Sequence, residues 1–260
     1  MERTISLLLI LIINGSTFAQ NMLSNSSDLY ILNSKDSVEV AETQPSQPNS
    51  LLKSAIVPLS LITAGVIVET VPSHTVFGKE RIQQHVQDKM NDFRTSAEDY
   101  LQFVPVAALF SFKLAGVKSR SDLLNQMIIT AKSELLVASI VYSMKHIIPA
   151  MRPDGSTDNS MPSGHSAQAF VSATLLDMEY RDTSPWISVG GYLCAATTGY
   201  LRVANNRHWA SDVLIGAGIG IASVKLVYLT HRYRWGKMPN AVLSPTLYPR
   251  GGGVAFAMKF

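Results

Sequence analysis

The sequence lacks the residues on which several kinds of site depend. Its single cysteine, Cys194, cannot form a disulfide within the chain, so cysteine usage gives no information on the redox compartment. Only 16% of the residues are charged, and the net charge of +3 is scattered rather than gathered into a stripe, so no nucleic-acid partner is indicated. His74, His85, His146 and His231 fit no metal-ligand spacing, so neither a metal nor a cofactor is predicted.

Apolar residues make up 47% of the 260 positions, enough for one domain with a sizeable core. Residues 1–19 have a basic start, an apolar stretch and small residues at a cleavage site, which predicts a secretory signal; a short first membrane helix is the alternative. Residues 20–52 are rich in Ser, Asn, Asp and Gln and are predicted to form a flexible leader. A helical domain at 53–237 and a tail at 238–260 follow, and the alternating apolar residues of the tail predict a strand or hairpin.

Six apolar runs of helix length predict an all-α bundle of about six helices. These runs cover residues 54–71, 101–117, 123–148, 166–178, 185–201 and 213–230. Between the first two, apolar residues recur at helical spacing from Ile82 to Phe93, which predicts an amphipathic helix packed on the core rather than on a membrane surface. No internal repeat is present, and no obligate protein partner is indicated.

Two of three suggestive polar segments offer groups that bind phosphate. Lys145 and Arg152 are seven residues apart at the end of an apolar run, and an ammonium together with a planar guanidinium suits the oxygens of a phosphoryl group. Ser163, Gly164 and His165 precede the next run and are therefore placed at a helix start, where unpaired backbone N–H groups and the helix dipole attract anions. Ser and Gly are also ordinary capping residues at such a position.

The third segment holds Arg202, His208 and Asp212. A spacing of four places His208 and Asp212 one helical turn apart on the same face. A carboxylate on one ring nitrogen fixes the tautomer and raises the basicity of the imidazole, and the other nitrogen can then attack phosphorus. A His and an Asp at this spacing also occur as an ordinary solvated helix pair.

Together the three segments resemble the phosphatidic acid phosphatase type 2 (PAP2) superfamily, which also contains bacterial nonspecific acid phosphatases and vanadium haloperoxidases. The family pattern is Lys, six residues, Arg-Pro; then Pro-Ser-Gly-His; then Ser-Arg, five residues, His, three residues, Asp. The sequence follows this pattern between Lys145 and Asp212 except at Leu201, which stands where the family usually has Ser.

The resemblance implies a PAP2-type helical bundle and a metal-independent phosphatase. It implies that His208 attacks phosphorus to form a phosphohistidine, that Asp212 orients His208, and that His165 protonates the leaving oxygen. The phosphoryl oxygens would be bound by the remaining motif residues, namely Lys145, Arg152, Ser163, Gly164 and Arg202.

The distribution of basic residues predicts a membrane orientation. Cations cluster at the ends of the apolar runs that lie away from the motifs, at Lys118, Arg120, Arg181, Arg232, Arg234 and Lys237. If the last five runs span a membrane, the motifs face the periplasm. A cleaved signal would leave the following chain in the periplasm, and a membrane crossing by the run 54–71 would then place the motifs on the cytoplasmic side. Either this run packs outside as a non-spanning helix, or the signal is absent and the run is the first of six spans. A soluble or peripheral periplasmic domain is a third alternative.

The predicted function is hydrolysis of a phosphate monoester or pyrophosphate on an envelope lipid, such as lipid A, a polyprenyl pyrophosphate or a phosphoglycerolipid. One alternative is a soluble periplasmic nonspecific acid phosphatase that acts on small phosphoesters. A vanadium-dependent haloperoxidase and a structural envelope protein with a degenerate site are further alternatives.

Overall fold

The computed structural model describes residues 48–90, 93–231, 241–248 and 251–258. The predicted signal at 1–19 and most of the predicted leader lie outside the described residues. Eight helices and one antiparallel hairpin are described: α1 (Pro48–Thr70), α2 (Lys79–Lys89), α3 (Ala97–Leu101), α4 (Val104–Leu114), α5 (Leu123–Ile147), α6 (Gly164–Tyr180), α7 (Pro185–Ala204), α8 (Ala210–Thr230), β1 (Ala241–Tyr248) and β2 (Gly251–Met258). The predicted helical bundle and the strand in the tail are confirmed, although α1 takes in the last residues assigned to the leader.

Local signals in the sequence fix where the main helices begin. The carboxylate of Asp122 accepts the backbone N–H of Asn125 at 2.9 Å and so caps α5. Ser163 caps α6 in the same way, and Pro185 occupies the first position of α7, where a missing N–H costs no hydrogen bond. These caps set the ends at which the polar segments emerge.

The central helix of the bundle is α6, whose side chains, such as Val171 and Leu175, are buried around most of its circumference. A close approach of α8 makes this possible, because a Cβ on Gly216 would lie 2.6 Å from the carbonyl oxygen of Ser163. The two helices run parallel, and their first turns are joined by a hydrogen bond of 3.1 Å from the N–H of Ser163 to the carbonyl of Asp212.

Helices α5 and α7 run antiparallel to α6. The Gln168 amide donates to the Glu134 carboxylate of α5 at 2.6 Å, and the hydroxyls of Thr174 and Tyr192 lie 3.2 Å apart between α6 and α7. The carboxyl ends of α5 and α7 therefore meet the amino ends of α6 and α8. We call this end of the bundle, marked by Ile147, Gly164, Ala204 and Ala210, the site end, and the opposite one the basal end.

Helix α1 lies antiparallel along α8. The Lys225 ammonium donates to the carbonyl of Ser54 at 2.8 Å near one end, and the Ser211 hydroxyl donates to Glu69 at 2.8 Å near the other. Because the contacts extend over the length of both helices, α1 and α8 traverse the same depth of the bundle.

Among the described residues, three helices are long and apolar enough to cross a membrane: α1 from Lys53, α5 and α8. The other helices that correspond to predicted apolar runs, α4, α6 and α7, are not among these three candidates. With 11 residues, α4 extends only about 17 Å, against a hydrocarbon core of about 30 Å. The basal end of α6 carries Asp177 and Glu179, which are buried against protein.

The predicted amphipathic helix exists as α2 and ends at Lys89, before Phe93. It lies across the carboxyl end of α7. The Gln83 amide donates to the carbonyl of Val203 at 3.0 Å, and the Gln87 amide donates to that of Ala204 at 3.1 Å. Both bonds go to carbonyls in the last turn of α7, where acceptors lack intrahelical partners, although the carbonyl of Val203 also accepts the N–H of Asn206 at 3.0 Å.

Candidate active site

All three predicted segments meet at the site end. Lys145 is in the last turn of α5, Ser163 precedes α6, Arg202 is in the last turn of α7, and Asp212 is in the first turn of α8. The segments that the sequence separates by up to 67 positions thus share one end of the bundle because consecutive long helices alternate in direction.

His208 and Asp212 form a buried pair, with exposed fractions of only 2% and 0%. The distance from Nδ1 of His208 to Oδ2 of Asp212 is 3.5 Å. The prediction that both lie on one helix face is wrong, because α8 begins at Ala210, after His208. They meet because Asp212 turns back to accept the N–H of Trp209 at 3.0 Å, as a capping residue does.

Burial is the main cause that lowers the pKa of His208, to about 4, although Asp212 raises it. Desolvation disfavours the imidazolium, so His208 is neutral at pH 7. Asp212 faces Nδ1, which leaves Nε2 as the nitrogen whose lone pair can attack an electrophile.

Ser160 completes this pair and was missed by the sequence analysis. Its buried hydroxyl donates to Oδ2 of Asp212 at 2.5 Å and lies 3.4 Å from Nδ1 of His208. A serine in a loop has no periodic signal, and its partner Asp212 is 52 positions away. The hydroxyl helps to hold the carboxylate against the imidazole.

Two of the three predicted phosphate-binding cations carry unsatisfied donors. The Lys145 ammonium donates to the carbonyl of Asn159 at 2.5 Å. Among the described residues, the buried Nε atoms of Arg152 and Arg202 have no hydrogen-bond partner. Buried guanidinium N–H groups without acceptors are costly, and an oxyanion between the two arginines would satisfy them.

Ser163 and Gly164 form the first turn of α6. The hydroxyl of Ser163 is buried and accepts the Ser166 hydroxyl at 2.9 Å, so it acts as a helix cap in this structure. At Gly164, an added Cβ would meet only a side-chain atom of Val141 at 3.9 Å. The first N–H groups of this turn have no partner within the helix and give the end a partial positive charge.

His165 is held by Asp99, a residue that the sequence analysis did not single out. Nε2 of His165 lies 2.8 Å from Oδ1 of Asp99. Burial, followed by Arg202, lowers the pKa of His165, whereas Asp99 raises it. The carboxylate therefore favours the protonated imidazole that a general acid requires.

The neighbouring residue Glu98 is also engaged in the site. It is 3% exposed, and its Oε1 lies 3.3 Å from Nη1 of Arg202 and accepts the amide of Asn205. Glu98 and Asp99 belong to the five-residue helix α3, which directly precedes α4. Their place just before an apolar run is the one signal that pointed to them, since the three predicted segments also lie at the ends of such runs.

A cleft of about 560 Å³ opens beside the arginines, lined by Arg94, Thr95, Ser96, Glu98, Asp99, Arg152, Arg202, Asn205 and Arg207. Of the predicted residues, only Arg152 and Arg202 line it. No group of three or more His, Cys, Asp or Glu side chains in the described ranges is arranged to hold a metal ion. The lining thus presents four guanidinium groups together with the carboxylates of Glu98 and Asp99, and His208 is not part of it.

The fold and the site define a helical protein with an arginine-rich anion site next to a His–Asp pair. Residues 124–236 match the family model described as the PAP2 superfamily, so this segment of the chain is similar to that superfamily. The match includes Lys145, His165, His208 and Asp212, whereas Asp99 lies outside it.

A lipid A 1-phosphatase from Porphyromonas gingivalis is 44% identical over 137 residues, which are 52% of this chain and 31% of that protein. The chain thus spans about a third of the length of this curated relative. Two solved structures are similar. Aquifex aeolicus LpxE is 22% identical, with an alignment that covers 56% of this chain and 93% of the LpxE chain and a TM-score of 0.42. The PAP2-type phosphatidylglycerolphosphate phosphatase from Bacillus subtilis is 21% identical, with an alignment that covers 68% of this chain and 99% of the phosphatase chain and a TM-score of 0.46.

Proposed function

We propose that this protein is a membrane-embedded phosphatase that hydrolyses a phosphate group on an envelope lipid through a phosphohistidine intermediate. The observation that carries the proposal is the pair of buried, unpartnered Nε atoms of Arg152 and Arg202 among the described residues. They lie at the same end of the bundle as the neutral, buried imidazole of His208. An oxyanion and a nucleophile are both accommodated there.

In the first step, the Nε2 lone pair of His208 forms a bond to phosphorus while the bond from phosphorus to the lipid oxygen breaks. His165 gives its proton to that oxygen, and Asp212 stabilises the positive charge that develops on the imidazole of His208. Arg152 and Arg202 bind the equatorial oxygens of the phosphoryl group, where charge accumulates in the transition state.

In the second step, water attacks the phosphohistidine. The now neutral His165 takes a proton from this water, the bond from phosphorus to Nε2 of His208 breaks, and inorganic phosphate is released. Lys145, Ser163 and Gly164 complete the oxyanion cradle in this proposal, the last through the backbone N–H groups at the start of α6.

Apolar side chains on the outside of the spanning helices support a place in a membrane. Ile56 of α1 is 59% exposed and Leu135 of α5 is 72% exposed, although both lie in the middle of apolar helices. Water would penalise such surfaces, whereas lipid would not. The basal end carries Arg120, Arg181 and further cations, so the positive-inside rule favours a site end that faces the periplasm.

The lipid A 1-phosphatase relative supports lipid A as the first substrate to test. Phosphate release should be measured on lipid A 1-phosphate, a polyprenyl pyrophosphate, phosphatidic acid and a small soluble phosphoester. We expect the lipids to be hydrolysed faster than the small ester. A rate on the small ester equal to that on the lipids would instead indicate a nonspecific acid phosphatase.

The mechanism is tested with His208→Ala and His165→Ala, both of which should lose nearly all phosphate release. The matched control is His146→Ala, because His146 is exposed at the same end of α5 and, among the described residues, lies 2.8 Å from the carbonyl of Tyr142 in its own helix. Near-normal release by either site variant would overturn the mechanism. A chelator should leave the rate unchanged, and a rate that depended on added metal would contradict this chemistry.

A further inference from the structure

A second group of cations lies at the basal end, far along the bundle from the site. Lys53 of α1, Arg120 before α5, Arg181 after α6 and Lys225 of α8 line a cavity of about 360 Å³ with Tyr228 and Leu229. We call this cavity the basal pocket. It is assembled from four separate parts of the chain, and none of its lining residues contributes to the proposed catalysis.

The positive charge of the basal pocket is only partly neutralised. No carboxylate is among the described residues that line it. Asp177 pairs with Arg181, with 3.1 Å between Oδ1 and Nε, and so compensates one of the four cations. The nearby Glu179 accepts the N–H of Ser121 at 2.8 Å and the hydroxyl of Tyr228 at 2.6 Å, and it adds a second negative charge, so two carboxylates stand against four cations.

The partners of two other cations are neutral. The Lys225 ammonium donates to the backbone carbonyl of Ser54 at 2.8 Å, and the Arg120 guanidinium lies 5.7 Å from the ring centroid of Tyr228. Both contacts orient a cation without cancelling its charge. The pocket therefore keeps a positive potential that suits an anion with phosphate chemistry.

The surroundings of the pocket distinguish a lipid from a free ion. Its wall continues into apolar side chains on the outside of the bundle, where Ile56 and Val57 of α1 are 59% and 51% exposed and Leu226 and Leu229 of α8 are 45% and 48% exposed. These residues lie on the two spanning helices that border the pocket. A ligand with a phosphate headgroup and acyl chains would match both surfaces.

We propose that the basal pocket binds the phosphate headgroup of an anionic membrane lipid in the leaflet opposite the site end, with the acyl chains along α1 and α8. Basic pockets between helices near a membrane surface hold such headgroups. The lipid would bridge α1 to the ends of α6 and α8 and so stabilise the bundle. This inference does not depend on the proposed phosphatase activity.

The test is binding of phosphatidylglycerol to the full chain in a zwitterionic detergent, measured by native mass spectrometry and by the midpoint of thermal unfolding. Phosphatidylcholine with the same acyl chains and inorganic phosphate are the comparison ligands. We expect one bound phosphatidylglycerol per pocket and a raised midpoint, with little effect of phosphatidylcholine. If inorganic phosphate bound the pocket as tightly as phosphatidylglycerol, the lipid assignment would be wrong.

The double variant Lys53→Gln with Arg120→Gln should bind phosphatidylglycerol about thirtyfold more weakly, since each cation near an anionic headgroup contributes about fivefold. Both residues are exposed, so the fold should survive, and circular dichroism checks this. Lys118→Gln is the charge-matched control from the same end, because Lys118 does not line the pocket. Equal weakening by Lys118→Gln, or unchanged binding by the double variant, would overturn the proposal.

Discussion

Replacing Asp99 by asparagine tests whether its negative charge opposes the lowering of the His165 pKa. The variant retains the size of the side chain and its capacity for hydrogen bonds, and it removes only the charge 2.8 Å from Nε2 of His165. Burial and Arg202 lower the pKa of His165, and Asp99 opposes them. Without Asp99 the pKa falls further, so a smaller fraction of His165 carries the proton that the leaving oxygen needs at neutral pH.

The magnitude follows from the exposure of the pair. The side chains of His165 and Asp99 are 32% and 54% exposed, so solvent screens much of their attraction. We therefore expect the loss of this attraction to cost about 1 kcal/mol, the upper end of the range for exposed ion pairs. This cost corresponds to about a fivefold loss of kcat/KM at neutral pH.

The assay is the pH profile of kcat/KM for phosphate release. A general acid is active below its pKa, so the alkaline limb of the Asp99→Asn profile should move to lower pH, while the rate in acid should stay near that of the wild type. Asp88→Asn serves as the control, because Asp88 is an exposed carboxylate on α2. A profile that superimposed on that of the wild type, or a limb that moved to higher pH, would refute the reasoning.

Three further predictions test the pair, the packing and the buried imidazole. Ser160→Ala should lower kcat by about tenfold to a hundredfold, because a hydrogen bond to the charged Asp212 is worth about 1.5–3 kcal/mol, and phosphate release at saturating substrate measures this. Gly216→Ala places a methyl group 2.6 Å from a carbonyl oxygen at the start of α6 and should abolish activity. Gly190→Ala, whose methyl meets no atom within 4 Å, should not, and equal activity of the two variants would contradict the packing argument. Burial lowers the pKa of His208 from 6.5 to about 4, so its contribution to stability is complete above pH 6.5 and is lost as the pH falls toward 4. The midpoint of thermal unfolding should therefore drop over that window in the wild type and less in His208→Gln, and equal drops would show that His208 is not the group responsible.

The long helices could be predicted from the sequence because each has a strong apolar signal. The run 123–148 corresponds to α5 at Leu123–Ile147, and the run 185–201 lies within α7 at Pro185–Ala204. Buried helices surrounded by protein or lipid are apolar around their circumference, so their extent is readable even without periodicity. The motif residues then followed as the polar groups at helix ends.

The supporting residues could not be predicted because their contacts are distant in sequence. Asp99 reaches His165 across 66 positions, and Glu98 reaches Arg202 across 104. Their helix α3 has five residues, too few for a periodic pattern. Ser160 is buried in a loop, and only the tertiary structure reveals that its hydroxyl faces a carboxylate.

The packing of α1 bears on the two alternatives for the run 54–71. A non-spanning helix outside the bundle does not agree with α1, which pairs with α8 from Ser54 at the basal end to Glu69 at the site end. Six of the described helices then alternate in direction along the chain, namely α1, α4, α5, α6, α7 and α8. Because six is an even number, the chain starts at the basal end of the bundle and returns to it. This favours the alternative in which α1 is the first of six segments that traverse the bundle.

The site end combines two positive helix termini with cationic side chains at two negative ones. The amino ends of α6 and α8 carry the positive ends of their dipoles, whereas the carboxyl ends of α5 and α7 carry negative ends. Lys145 and Arg202 lie in the last turns of α5 and α7, so a full positive charge covers each negative terminus. Glu98 then pairs with Arg202 at 3.3 Å and balances part of this charge. The direction of α6 and α8 therefore favours an anion bound at the site end, and the cations in the last turns of α5 and α7 offset the opposing dipoles of those two helices.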